Sequence, residues 1–286
     1  MRTSRTRLPR IAIVGTGKLG TALAISLRAA GYPIAEIVSR GGTASWRRAK
    51  ALARRVGAHP AIVGQTELGE DIVWLCVPDG EIASCAKSLV NLKWERTIAL
   101  HSSGALTSDE MNVLRKQGAR VASVHPMMTF VVGVAPSLQG VGFAVEGDRE
   151  AVRAARGIVR QLGGESFLIT KKNKPLYHAW GTFASPLMTA LLAAGEQVAG
   201  AAGISRSRAR RWMLPIVRQT IENYVKHGAA RGFSGPIIRG DTATIKKHLE
   251  VLKRRPMARE VYLALARSAL RTLPARNVKD LRALLG

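Results

Sequence analysis

Ile11-Ala12-Ile13-Val14-Gly15-Thr16-Gly17-Lys18-Leu19-Gly20 reads as a short β-branched strand, a glycine turn and the opening of a helix that runs on from Thr21 to Ala30. Gly15 permits the tight turn and Gly17 lets backbone come close to a pyrophosphate. Gly20 lets the helix pack against the strand. Amides at such a helix start point outward and attract an anion. Gly15, Thr16, Gly17, Lys18, Leu19 and Gly20 are therefore the first candidate cofactor-binding residues. A glycine turn with no ligand is the alternative reading of the same residues.

Outward from this unit, apolar runs alternate with helical ones. Ile34 to Val38 reads as a second strand, Ser45 to Val56 as a basic helix, and Ile72 to Val77, Thr97 to Leu100 and Val121 to Val124 as further strands. Continuous apolar runs of this kind are the mark of strands buried on both faces of a parallel sheet. Gly142 to Val145 and Ser166 to Ile169 extend the same sheet around a helix at Arg149 to Leu162. After Thr170 the strand signals stop, and Lys174 to Gly203, Arg206 to Gly228, Thr242 to Arg254, Ala258 to Leu273 and Val278 to Leu285 all read as helices. The expected class is α/β, a doubly wound and mostly parallel sheet over residues 1–170, followed by an all-helical domain over residues 171–286.

The composition of the 286 residues narrows the function. Hydrophobic residues make up 47% and charged residues 22%, so the chain has apolar surface enough for a buried core and is no disordered or disulfide-built scaffold. Cys76 and Cys85, with no histidine cluster nearby, indicate neither a zinc or other metal site nor an oxidising compartment. The 44 Lys and Arg against 19 Asp and Glu give a net charge of +25, a field that attracts anions. The basic residues fall in several short groups, among them Arg2 to Arg10, Arg47 to Arg55 and Arg206 to Arg211, and no aromatic residues interleave them. Solvated basic faces are thus expected rather than a nucleic-acid platform. Behind the basic N-terminus the apolar run is too short for a signal peptide. Leu176 to Gly195 carries His178 and Pro186 and reads as a buried helix rather than a membrane span. The expectation is a cytoplasmic protein with no membrane and no nucleic-acid partner.

About 20 residues past the glycines, folds that bind NAD place an acid on the ribose, whereas those that bind NADP place polar or basic groups there. Ser39 and Arg40 stand at that position, with Arg47 and Arg48 close behind, which favours NADP. A merely solvated Arg40 is the alternative. Val77-Pro78-Asp79 and His101-Ser102-Ser103-Gly104 end two strands, at the rim that borders the ligand crevice of an open α/β sheet. Val77, Pro78, Asp79, Ser102 and Ser103 join the candidate cofactor residues; His101 fits either a site or a structural hydrogen bond.

A nicotinamide brings hydride chemistry, so the protein must supply orientation and a proton. His125 ends a strand at the same rim, suited either to capping or to substrate contact. Asn173 as N-cap and Pro175 in the first turn start a helix near Lys174, whose Lys174, His178, Thr182 and Ser185 are spaced to share one face. A polar stripe on an apolar helix is costly unless paired or wet, which points to a cleft. Lys174 is the candidate for holding a substrate carboxylate or polarising a carbonyl, and His178 for proton transfer. A solvated Lys174 and a satisfied core His178 are the bland reading. Asp241 suits the N-cap of the helix that bears His248, and the small residues from Ala193 to Gly203 fit either a core or a dimer seam.

Gly15 to Gly20, Val77-Pro78-Asp79, His101 to Leu106, His125-Pro126, Lys174 with Leu176-Tyr177-His178-Ala179, and Gly235-Pro236 with Arg239-Gly240-Asp241 together resemble, over nearly the whole chain, bacterial Rossmann-like proteins with a helical C-terminal domain of unknown function. That family is similar to deazaflavin-dependent NADP oxidoreductases and to pyrroline-carboxylate and ketopantoate reductases. The resemblance implies a Rossmann sheet, NADP, a homodimer and a site in an interdomain cleft. The expected function is an NADP-dependent oxidoreductase that moves a hydride between nicotinamide and a small, anionic keto or imine compound. A noncatalytic NADP-binding sensor or scaffold is the alternative, and nucleic-acid binding through the positive field a third.

Overall fold

A computed structural model describes residues 7–65 and 69–286. Residues 1–6, which begin the first basic group, lie outside the described residues. The chain divides into two compact units, Met1–Thr182 and Phe183–Gly286. The sequence-based boundary at Thr170 falls before this division. The helix that starts at Lys174 stays with the sheet as far as Thr182, where the Lys174 side chain is buried against the Ser103 carbonyl, the Ser123 hydroxyl and Glu146.

The first unit is a sheet of eight strands: β1 (Ile11–Val14), β2 (Ile34–Ser39), β3 (His59–Ile62), β4 (Ile72–Leu75), β5 (Ile98–His101), β6 (Arg120–Pro126), β7 (Gly142–Gly147) and β8 (Glu165–Leu168). Their order is β3-β2-β1-β4-β5-β6-β7-β8, parallel throughout except for β6 against β7. The chain order reverses direction at β1, so β1 lies between β2 and β4 and its carboxyl end opens on the crevice where such folds hold ligands. Every residue of β1 and β4 is buried, which is why these strands read as unbroken apolar runs. β3 was not expected. It is an edge strand carrying Pro60, which lacks a ladder donor, and its exposed residues show no clear alternation.

Helices α1 (Lys18–Ala29), α2 (Thr43–Val56), α3 (Ile82–Ser88), α4 (Asn112–Lys116) and α5 (Arg149–Gln161) connect the strands. α1 buries Ala22, Leu23, Ala24 and Leu27 against the sheet and begins three residues before the expected Thr21. The core lies on both faces of the sheet. Ile11, Ile13, Trp74 and Phe143 anchor one cluster; Ala12, Val14, Val73, Leu75 and Trp94 anchor the other, as the period of two along a strand requires.

A 3-10 turn at Lys171–Asn173 leads into α6 (Lys174–Thr182), so Asn173 belongs to that turn rather than capping the helix. The expected single helix from Lys174 to Gly203 is interrupted by a π turn, Phe183–Leu187, that contains Pro186. Proline lacks the N–H that the regular ladder needs, and the extra residue shifts the phase of everything beyond it. The stripe Lys174, His178, Thr182 therefore does not continue in register to Ser185.

The second unit is helical: α7 (Met188–Ala201), α8 (Arg206–Gly232, broken at Gly228 by a positive φ), α9 (Pro236–Arg239), α10 (Thr242–Leu252), α11 (Pro256–Thr272) and α12 (Val278–Leu285). Its core is Ile245, Leu249, Leu263, Ala266, Leu270, Leu281 and Leu285. Asp241 caps α10 as its sequence position suggested, accepting a hydrogen bond from the Thr244 amide at 3.0 Å. Among the described residues no helix is long and apolar enough to cross a membrane.

Candidate active site

The turn between β1 and α1 is shaped by backbone approach. Gly15 holds φ +108°, and a Cβ there would stand 2.5 Å from the Cys76 carbonyl oxygen. A Cβ on Gly20 would stand 2.1 Å from the Gly15 carbonyl oxygen, so strand and helix meet too closely for any side chain. Gly17 is different, with nothing within 4 Å of its would-be Cβ. It is the N-cap of α1, with no side-chain cap and no acidic residue in the first turn, and the first amides of a helix have no partners within it. The turn thus presents amides and positive dipole to open space, the arrangement a diphosphate requires.

A cavity of about 410 Å³ lies there. Gly15, Thr16, Gly17, Ser39, Arg40, Val77 and Pro78 line it, together with Arg48, whose place behind Arg40 favoured NADP, and with Ser45 and Glu81, which the sequence did not single out. Lys18 lines a neighbouring cavity along with Gly17 and Arg48. Leu19 and Gly20 shape the helix start and line neither cavity. Arg40 is exposed and makes an ion pair of 2.6 Å with Glu81. Cys76 and Cys85 also line the cavity, and burial raises both thiols, Cys85 to about 11, so neither is a thiolate at neutral pH.

Beyond Pro78 the strand ends form a connected polar network. Asp79 accepts a 2.7 Å hydrogen bond from the Ser103 hydroxyl, whose oxygen accepts from the Ala105 and Leu106 amides. The Ser102 hydroxyl faces inward, accepting from the Trp74 indole at 2.8 Å. His101 is fully buried: its Nδ1 accepts from the Ser103 amide, which leaves Nε2–H to donate to the Thr107 carbonyl at 3.0 Å. Burial pulls its pKa down to about 4, against the raising effect of the Thr107 bond. Both ring nitrogens are thus used by the fold, and of its two sequence readings the structural one describes the geometry.

Lys174 is completely enclosed. Its ammonium donates to the Ser103 carbonyl at 3.0 Å and to the Ser123 hydroxyl at 2.6 Å, and lies 3.9 Å from Glu146. Glu146 in turn accepts from the amide and hydroxyl of Ser108. Burial lowers the Lys174 pKa to about 8, opposed by the charges of Glu146 and Asp79, so the ammonium stays protonated at neutral pH. A substrate carboxylate does not reach it in this arrangement.

One turn further along α6 the structure brings together what the sequence left apart. The Tyr177 hydroxyl lies 2.8 Å from His125 Nδ1, and the His125 and His178 rings meet edge to face at 5.9 Å between centroids. Burial, followed by the neighbouring His178, lowers His125 to about 4. Gly104 makes room for this pair: a Cβ there would stand 2.6 Å from His178 and 2.9 Å from His125 Nε2. His178 is exposed and His125 half-buried, which leaves the histidine pair on the rim. Tyr177 was missed because an aromatic between Leu176 and Ala179 reads as core; its position three residues after Lys174 was the available signal.

Fold and site together define a Rossmann-like protein. Residues 2–126 match the Rossmann-like domain model and residues 141–269 match a domain of unknown function, DUF2520, so the chain is a Rossmann-like protein with a C-terminal DUF2520 domain. No curated protein matches the chain by sequence. Among solved structures, it is similar to an NADP oxidoreductase candidate from Bacteroides fragilis, with a TM-score of 0.76 and 21% identity over 92% of this chain and 98% of that one. It is also similar to protein TM1727 of Thermotoga maritima, with a TM-score of 0.70 and 24% identity over 96% and 98%. An imine reductase from Myxococcus stipitatus in complex with NADP+ gives a TM-score of 0.64 and 16% identity over 92% and 94%. At these identities the likeness is one of fold.

Proposed function

We propose that the protein is an NADP-dependent oxidoreductase that transfers a hydride between nicotinamide and a small, anionic keto or imine compound. The observation that carries this reading is the open Gly17 at an uncapped helix start, facing a cavity whose far wall holds Ser39, Arg40, Ser45 and Arg48 and no acid at the end of β2. The Gly15 to Gly20 turn would hold the diphosphate, and the two arginines with Ser39 and Ser45 would hold a 2′-phosphate. Val77, Pro78 and Asp79 would carry the cofactor along the strand ends toward Ser103. When bound, the nicotinamide supplies the hydride.

The chain's own residues then supply orientation and the proton. His178, on the rim and unburied, is the group to move a proton to or from the substrate. Its neighbour His125, neutral and held by Tyr177, fixes the ring geometry. Lys174 acts as a positioning residue: from within the fold it ties the Ser103 carbonyl and Ser123 together and adds positive potential behind the pair. The +25 net charge favours anionic substrates. A panel of small keto and imino acids with NADPH deuterated at the reactive carbon tests the reading directly. Deuterium should appear in one reduced product, and His178→Ala should lower turnover by about a hundredfold, the scale of a lost general acid. Tight NADPH binding with no label transferred to any compound would instead favour the sensor.

The molecule is also proposed to be a homodimer. Trp212, Ile216, Tyr224 and Val225 of α8 are all more than half exposed, apolar surface costly to leave in water and suited to burial against a second copy.

A further inference from the structure

β2 and β4 flank β1 in the sheet, so any side-chain link between their carboxyl ends must cross above the Gly15 turn. One such link exists. Arg40, just past β2, and Glu81, in the 3-10 turn Asp79–Glu81 past β4, are joined at 2.6 Å between Nη1 and Oε1, and both line the 410 Å³ cavity.

We propose that Glu81 is a specificity-determining residue that competes with the cofactor's 2′-phosphate for Arg40; the proposal rests on reading this cavity as the nucleotide site. A phosphorylated ribose arriving at the end of β2 meets a guanidinium whose charge is already shared with a carboxylate. To engage Arg40 it must displace Glu81, and the freed carboxylate then faces a dianion across the same cavity. An unphosphorylated ribose makes no claim on Arg40 and leaves the pair closed. Glu81 therefore weakens binding of the phosphorylated dinucleotide selectively and lowers the discrimination that Arg40 and Arg48 would otherwise give. Arg48 lines the same cavity and, among the described residues, makes no ion pair, which leaves it as the uncontested cation for the phosphate. The pair is solvent-exposed, with side chains 69% and 34% accessible, so its leverage is modest.

Equilibrium titration of the full chain with NADPH and with NADH, for the wild type, Glu81→Gln, Arg40→Ala and the double variant, tests this. Glu81→Gln should tighten NADPH about threefold to fivefold, the range of one exposed ion pair, and leave NADH unchanged. In the Arg40→Ala background the same substitution should gain less than about twofold, because the competition acts through the guanidinium. Weaker or unchanged NADPH binding in Glu81→Gln would overturn the proposal, as would an equal gain for NADH or a gain that survives intact without Arg40. A wild type that binds neither nucleotide would remove the assignment of the cavity itself, and the competition with it.

Discussion

His125 and His101 are histidines kept neutral by burial, each with a pKa near 4 against 6.5 for a free side chain. Between those values the unfolded chain binds protons that the folded chain refuses, so stability rises with pH through this window and is lost as pH falls from about 6.5 toward 4. Urea midpoints measured at pH 7 and pH 4.5 should therefore differ, and His101→Gln should shrink the difference; an undiminished pH dependence in that variant would count against its neutral state. Lys174 makes the complementary case. Replacing it by Met leaves Glu146 buried without its cation and the Ser103 carbonyl short of a donor, which should cost about 3 kcal/mol in equilibrium unfolding, whereas a surface lysine would cost almost nothing. Lys174 and His178 could be read as neighbours on one helix because they stand four positions apart. That Lys174 faces inward was not legible, since its partners Ser103, Ser123 and Glu146 come from distant strands that only the fold assembles.

At the scale of elements, the β1 turn separates two kinds of glycine that look alike in sequence. Gly20 has backbone 2.1 Å from its would-be Cβ, and Gly17 has open space. Gly20→Ala should lower Tm by many degrees through the clash of helix and strand. Gly17→Val, whose backbone φ of −73° suits any residue, should fold with a near-native Tm. Thermal unfolding of both variants checks the contrast; equal losses would contradict the assigned geometry. The strands that read most plainly were those buried on both faces, β1, β2, β4 and β5. The edge strand β3 and the short helices α3 and α4 carried too little pattern to register. The π turn at Pro186 was hidden for another reason: proline within an apolar run signals a disturbance without saying whether the helix stops, kinks or widens.

For the whole molecule, two units with separate cores share a large positive charge, and much of the exposed apolar surface of the second unit lies on α7 and α8. Sedimentation equilibrium should give twice the mass of one chain, and Ile216→Glu with Val225→Glu should give a folded monomer; a monomeric wild type would contradict the dimer. The class of fold was written in the alternation of strands and helices, and the proposed cofactor preference rests on the missing acid after β2. The substrate lies beyond that alphabet, because its contacts depend on which side chains the rim turns outward. The central claim is that the Gly15 to Gly20 turn holds a dinucleotide, and NADPH titration of wild type beside Gly17→Val tests it most directly. Saturable wild-type binding, weakened at least a hundredfold in a variant with unchanged circular dichroism and Tm, is the predicted result. Equal binding by the two proteins, or none by either, would contradict it.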